Sequence, residues 1–188
     1  MRGTNITKVV LALTLVFGFE SAALATQYFT LEKVQQALFP NADSFSSQPV
    51  RLTDDQKEFV EDYAKVSLRA EEQPVWRVEA KGTFIGWLVV DEVYGKHEFI
   101  TYAVGLNPDG SVKGMEIMDY RETRGGEVRN PEWRARLTGK HYGDALKMDQ
   151  DIDNISGATL SVKHITEGVR RILAIYQTAL KPQAGNNR

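Results

Sequence analysis

Toward the end of the chain, apolar residues fall at Val162, Ile165, Val169, Ile172, Leu173, Tyr176 and Leu180. Steps of three, four and seven place them on one stripe of an amphipathic helix running from Ser161 to about Leu180. Near the start of the chain, Leu31, Val34 and Leu38 predict a short helix over Thr30 to Leu38, closed by Phe39-Pro40. Polar residues and Gln48-Pro49 then read as a loop. Thr53 with Gln56 forms a capping-box pattern that opens a second helix, whose apolar face is Phe59, Val60 and Tyr63.

After Pro74 the period changes to two. Val75, Arg77 and Glu79 alternate with Trp76, Val78 and Ala80, which predicts a strand. Phe84 to Val93 and Phe99 to Leu106 are runs of strand formers separated by Tyr94-Gly95-Lys96. The turn Asn107-Pro108-Asp109-Gly110 leads to a further strand, Val112 to Met118. Such short connections favour antiparallel pairing. Asn130-Pro131 reads as an N-cap with Pro at the first helical position, so Trp133 to Leu137 is expected to be a short helix ending at Gly139. The predicted class is α+β: roughly three to five mainly antiparallel strands, flanked by an N-terminal helical layer and the C-terminal amphipathic helix.

The first residues look like a targeting segment. Arg2 and Lys8 precede an uncharged run from Val9 to Phe19, and Ala23-Leu24-Ala25 has the small-x-small form of a cleavage site. Residues 1–25 are therefore expected to be a signal peptide, with export to the periplasm. The apolar run is about eleven residues, short of the roughly twenty that span a bilayer. Membrane association would then come only through an uncleaved N-terminus or through a partner. Residues 26–188 are expected to form a single domain with its core at about 75–180 and a loose tail from Lys181. With no Cys in the chain, disulfides, thiolate zinc sites and iron-sulfur ligation are excluded, so redox chemistry requires a carried cofactor. A net charge of -2 with interspersed signs gives no support for nucleic-acid binding.

Candidate chemistry concentrates in Asp153-Asn154-Ile155-Ser156-Gly157-Ala158-Thr159. Small residues there allow backbone N–H groups to approach an anion, and the positive end of the following helix adds its attraction. Taken alone, Ser156-Gly157-Ala158-Thr159 also fits an ordinary loop capped by Ser161. The whole string resembles the Asp-x-x-(Ser/Thr)-Gly-Ala-(Thr/Ser) site of the FMN-binding domain family. That family includes the flavin-carrying subunits of sodium-pumping NADH:quinone reductases and Rnf-type electron-transfer complexes. The resemblance implies that the Thr159 hydroxyl is joined to the FMN phosphate as a phosphodiester by an FAD-dependent flavin transferase. It implies that Asp153 is needed for that modification, with Ser156, Gly157 and Ala158 forming the rest of the cofactor-binding turn. The α+β fold of the family agrees with the strand and helix pattern.

A second segment, Tyr120-Arg121-Glu122-Thr123-Arg124-Gly125-Gly126, follows the strand at Val112 and resembles part of a Glu-Thr-x-Gly signature of the same family. By that resemblance Glu122, Thr123 and Gly125 contact FMN or shape its pocket. Many relatives carry Pro where this chain has Arg124, a cation able to pair with phosphate or to stay in solvent. His97, His141 and His164 lack zinc-motif spacing, and Asp149, Asp151 and Asp153 lack the Gly and the distant Glu of a calcium loop. Trp76, Trp87 and Trp133 are more ordinarily core than flavin-stacking residues.

The expected function is that of an exported flavoprotein carrying covalent FMN and passing electrons to a membrane or extracytoplasmic redox protein. Two other readings are a flavin-dependent reductase acting directly on a small substrate, with Tyr120, Glu122 or His141 as proton donor, and a flavin-free ligand-binding module on the same fold.

Overall fold

The computed structural model describes residues 26–27 and 29–181. The expected signal peptide, residues 1–25, and residues 182–188 of the expected tail lie outside the described residues.

Six strands form one antiparallel sheet in the order β1-β8-β7-β6-β5-β2. Its centre is β5 (Val75–Ala80), β6 (Thr83–Tyr94), β7 (Phe99–Leu106) and β8 (Val112–Tyr120), joined in sequence by tight turns. The edges are β1 (Thr26–Gln27) on β8 and β2 (Ser44–Ser47) on β5. A separate pair joins β3 (Val50–Arg51) to β4 (Glu72–Gln73). The helices are α1 (Leu31–Leu38), α2 (Asp54–Ala64), α3 (Pro131–Ala135) and α4 (Thr159–Ile175), the last continuing through a π-helical turn at Tyr176–Leu180.

Alternation along the strands sends successive side chains to opposite faces. Trp87, Val89, Val93, Ile100, Tyr102, Val104, Met115 and Ile117 share a core with Val162, Ile165, Val169, Ile172 and Leu173 of α4 and with Val60 of α2. Leu88, Ala103 and Val78 point the other way and meet Val34, Leu38 and Phe39 at α1. The two N-terminal helices therefore do not form one layer, as the sequence pattern suggested. Each has an apolar stripe, but a stripe does not say which face of the sheet it covers.

The segment read as a loop before Pro49 contains β2. Ser44, Ser46 and Ser47 carry little strand propensity, and pairing supplies what propensity lacks. Phe45 sits opposite Val78 on the free edge of β5, with its ring 6.3 Å from that of Phe39. This edge strand and β1 bring the sheet to six strands, beyond the three to five expected. The predicted caps form as expected: Thr53 and Gln56 make a reciprocal capping box, and Asn130 Oδ1 accepts from the N–H of Glu132 with Pro131 beginning α3.

One end of the sheet carries the site. The β6–β7 turn closes at the pair Tyr94 and Phe99, and β8 ends at Tyr120 opposite Ile100. The turn around Lys96 and the loop from Arg121 onward thus emerge side by side.

Candidate functional site

Helix α4 begins at Thr159, two residues earlier than the apolar stripe predicts, with Ala158 at the N-cap and no side chain capping it. The first N–H groups of a helix have no intrahelical acceptor. Among the described residues, no protein group accepts from the N–H groups of Thr159, Leu160 or Ser161. Ser161, the alternative cap, is instead buried inside the first turn. Ahead of the helix, Gly157 adopts φ +84°, a left-handed conformation that glycine takes at little cost. Thr159 is exposed on this uncapped end.

Across from it lies the loop after β8. Tyr120 Oη donates to the carbonyl of Arg124 at 2.6 Å, and the Ser161 hydroxyl lies 3.3 Å from the same oxygen. One phenol therefore ties the loop to the first turn of α4. Burial, chiefly, raises the Tyr120 pKa, which keeps it a proton donor. At Gly125, with φ +83°, a Cβ would lie 2.7 Å from Tyr120 Oη and 3.0 Å from the Cβ of Ala158. Gly125 and the buried Ala158 are thus a small-against-small contact that lets the two segments touch.

Glu122 lines the space beside Thr159 and also bonds a neighbouring turn. Its Oε1 accepts from the backbone N–H groups of His97 at 2.6 Å and Glu98 at 3.1 Å, and also from that of Lys96. Partial desolvation pushes its pKa up, but the bonds from His97, Glu98 and Lys96 outweigh it and hold the carboxyl below its ordinary value. The carboxylate fastens the β6–β7 turn to the loop after β8. Because the folded pKa is depressed, its stabilisation is present above the ordinary carboxylate range and is lost as pH falls through the folded value. Glu122→Gln is accordingly expected to melt below wild type at neutral pH, with the difference closing in acid; thermal melts across pH check this.

Together these segments enclose a half-open cleft of about 440 Å³, lined by Thr159, Leu160, Ser161, Ala158 and Gly157 on one side and by Glu122, Thr123, Arg124, Lys96 and His97 on the other. A neighbouring cavity of about 660 Å³ opens beyond Gly157, with Ser156, Thr123, Arg124, Gly125 and Arg129 on its walls. Ser156 therefore faces the second space rather than the cleft. Asp153 stands apart from both linings. It is exposed, and its Oδ2 pairs with Arg136 Nε at 3.0 Å. Its backbone carbonyl accepts from the indole of Trp133 at 2.9 Å, which anchors the turn.

The string of small residues and the loop after β8, separated by about thirty positions in the chain, are thus brought together, and the structure adds Lys96, His97, Leu160 and Ser161. Sequence reasoning missed these because none belongs to a motif. The pairing of consecutive strands was nonetheless enough to place the Gly95 turn beside the end of β8. His164 bonds the carbonyl of Tyr94 through Nδ1 at 2.5 Å, and Trp87 is wholly buried in the core, as expected for an ordinary tryptophan.

Unpaired N–H groups, an exposed hydroxyl, two cations and an exposed Leu160 suit a ligand with an anionic end and a flat, partly apolar body. The protein is an α+β domain with a half-open cleft at the N-terminus of α4. Residues 95–174 match the model of the FMN-binding domain. That segment contains both the cleft and α4.

Among known proteins, the chain is 23% identical to a component of the Na(+)-translocating ferredoxin:NAD(+) oxidoreductase complex of Acetobacterium woodii, over 93% of each chain. It is 30% identical to a component of the Na(+)-translocating NADH-quinone reductase of Vibrio anguillarum, over 61% of this chain and 50% of that one. The corresponding reductase component of Vibrio vulnificus is 33% identical over the same shares. The match spans about half the length of these reductase components. The crystal structure of Shewanella oneidensis NqrC shares the fold, with a TM-score of 0.51 and 19% identity over 84% of this chain and 77% of that one.

Proposed function

We propose that the protein is an exported electron carrier whose FMN is joined through its phosphate to Thr159 Oγ1. The observation that carries this is the placement of Thr159: an exposed hydroxyl on an uncapped helix end, inside a cleft whose opposite wall holds Lys96 and Arg124. A bound FMN supplies reversible uptake and release of electrons. The protein's own part is to orient and to exclude. The N–H groups of Thr159, Leu160 and Ser161 would receive the phosphate, Gly157 and Gly125 would permit close approach, and the half-open cleft would leave part of the ring reachable by a partner.

Attachment uses FAD as donor. The Thr159 oxygen forms a bond to the FMN-side phosphorus, the pyrophosphate P–O bond breaks, AMP leaves, and the hydroxyl proton passes to a base of the flavin transferase. No His-Asp pair stands beside Thr159 among the described residues to activate it, so activation belongs to the transferase. The exposure of Asp153 supports its being read by that enzyme, and its bridge to Arg136 contributes little to stability at such exposure. The relatives are named as parts of sodium-translocating redox complexes, which supports a membrane redox protein as partner. The N-terminal pattern supports the periplasm as the compartment.

The test is mass spectrometry of protein co-expressed with an FAD-dependent flavin transferase. The expected product begins at Thr26 and carries one FMN, less water, on the peptide containing Thr159. Denatured protein without flavin, or FMN on another residue, would overturn the assignment.

A further inference from the structure

The charges lining the cleft do not balance. Lys96 and Arg124 both line it, and neither side chain makes an ion pair or hydrogen bond among the described residues. The carboxylate on the same walls, Glu122, has Oε1 engaged by three backbone N–H groups. The uncapped start of α4 adds further positive potential. Two unpaired cations beside a positive helix end repel one another until anions enter. With Glu122 ionised on the same wall, a phosphodiester on Thr159 brings the formal charges to balance, so that the positive end of α4 is the excess a reduced ring would meet between the two cations.

The backbones that carry both cations are fixed by the fold. The Arg124 backbone is pinned by Tyr120 Oη at 2.6 Å and by Gly125 packed on Ala158. The Lys96 backbone is fixed by its N–H bond to Glu122. They line the cleft from two loops on the wall opposite Thr159, so a ring tethered to Thr159 would share the cleft with both.

We propose that Lys96 and Arg124 form a cationic clamp that favours the reduced, negatively charged flavin over the oxidised, neutral ring. The clamp rests on the reading of Thr159 as the FMN attachment site. Two electrons from an external redox protein and one proton from solvent enter the oxidised ring, leaving one net negative charge beside the clamp; a second proton stays in solvent. Arg124 and Lys96 are positioning and tuning residues, touching no bond that forms or breaks.

The experiment is a potentiometric titration of flavinylated wild type, Lys96→Gln, Arg124→Gln and the double variant, at low and high salt, with attachment checked by mass. Each single variant is expected to lose about tenfold in preference for the reduced form, a fall of about 30 mV in midpoint potential for a two-electron couple. The double variant falls further, Arg124→Lys stays close to wild type, and high salt shrinks every difference. In the double variant, proton uptake rises from one toward two per electron pair. A yellow protein whose variants all keep the wild-type potential at low salt overturns the clamp alone. A wild-type protein without covalent flavin overturns the attachment reading and the clamp with it.

Discussion

Thr159→Ala is expected to yield a folded protein with no covalent flavin. The side chain is exposed, and its hydroxyl makes no hydrogen bond among the described residues, so nothing in the packing depends on it. It stands at the first position of α4, where alanine has the better helix propensity. The change in stability should therefore stay within about 0.5 kcal/mol, as for other surface substitutions. Thr159→Ser keeps a hydroxyl at the same place and should keep the flavin. Ser156→Ala tests the geometry from the other side, since that residue lines the neighbouring cavity and not the cleft. It is expected to stay yellow after denaturation. The measurement is absorbance and mass of denatured protein for the three variants. Covalent flavin persisting in Thr159→Ala, or lost in Ser156→Ala with Thr159 intact, would contradict the assignment.

The same comparison shows which parts of the site local sequence carries. The turn at Gly157 is legible because it depends on backbone freedom and small side chains, both written into consecutive residues. The Glu122 loop is legible in position, and its hydrogen bonding to a neighbouring turn is not. A carboxylate in a motif beside a cofactor suggests contact, yet its oxygen is used by N–H groups about twenty-five positions earlier in the chain. Only the pairing of β6, β7 and β8 brings that turn within reach. Lys96 escapes notice as part of the cleft for the same reason: its place there comes from three-dimensional neighbours.

For the fold, the central strands and the α4 stripe are readable almost residue by residue, because burial imposes a period on long elements. Phe99–Leu106 matches at both boundaries, and Val112 to Met118 falls two residues short of Tyr120. The short edge strands are not legible. Thr26–Gln27 and Ser44–Ser47 are strands because β8 and β5 offer unpaired edges, a property of the neighbour and not of the segment. An amphipathic stripe puts the start of α4 at Ser161 because it marks where packing begins. An uncapped first turn carries no apolar signal and no capping residue.

Asp91→Ala is expected to destabilise the protein by about 3–5 kcal/mol, the cost of leaving a buried partner charge uncompensated. Arg171, on α4, is wholly buried and meets Asp91 Oδ2 through Nη2 at 2.6 Å and Nε at 3.1 Å. It also donates to the carbonyls of Ser67 at 2.8 Å and Glu92 at 2.9 Å, while Tyr102 Oη donates to Asp91 at 2.9 Å. Desolvation alone would lower the Arg171 pKa, but the neighbouring Asp91 more than offsets it and keeps the guanidinium charged. The pair lies beside a close contact of α4 with the sheet at Gly168, whose missing Cβ would overlap Tyr102 Oη. At roughly 2–4 °C per kcal/mol for a chain of this size, the melting temperature should fall by about 6–20 °C. A matched replacement, Asp91→Leu with Arg171→Met, removes both charges and should recover most of that loss. Thermal melts of the single and double variants check this, and a single variant as stable as wild type would contradict it. Arg171 lies three turns beyond Thr159, about 18 Å along the helix at 1.5 Å per residue. The pair thus fixes the far part of the element whose near end presents the hydroxyl, so the double variant should restore flavin attachment together with stability.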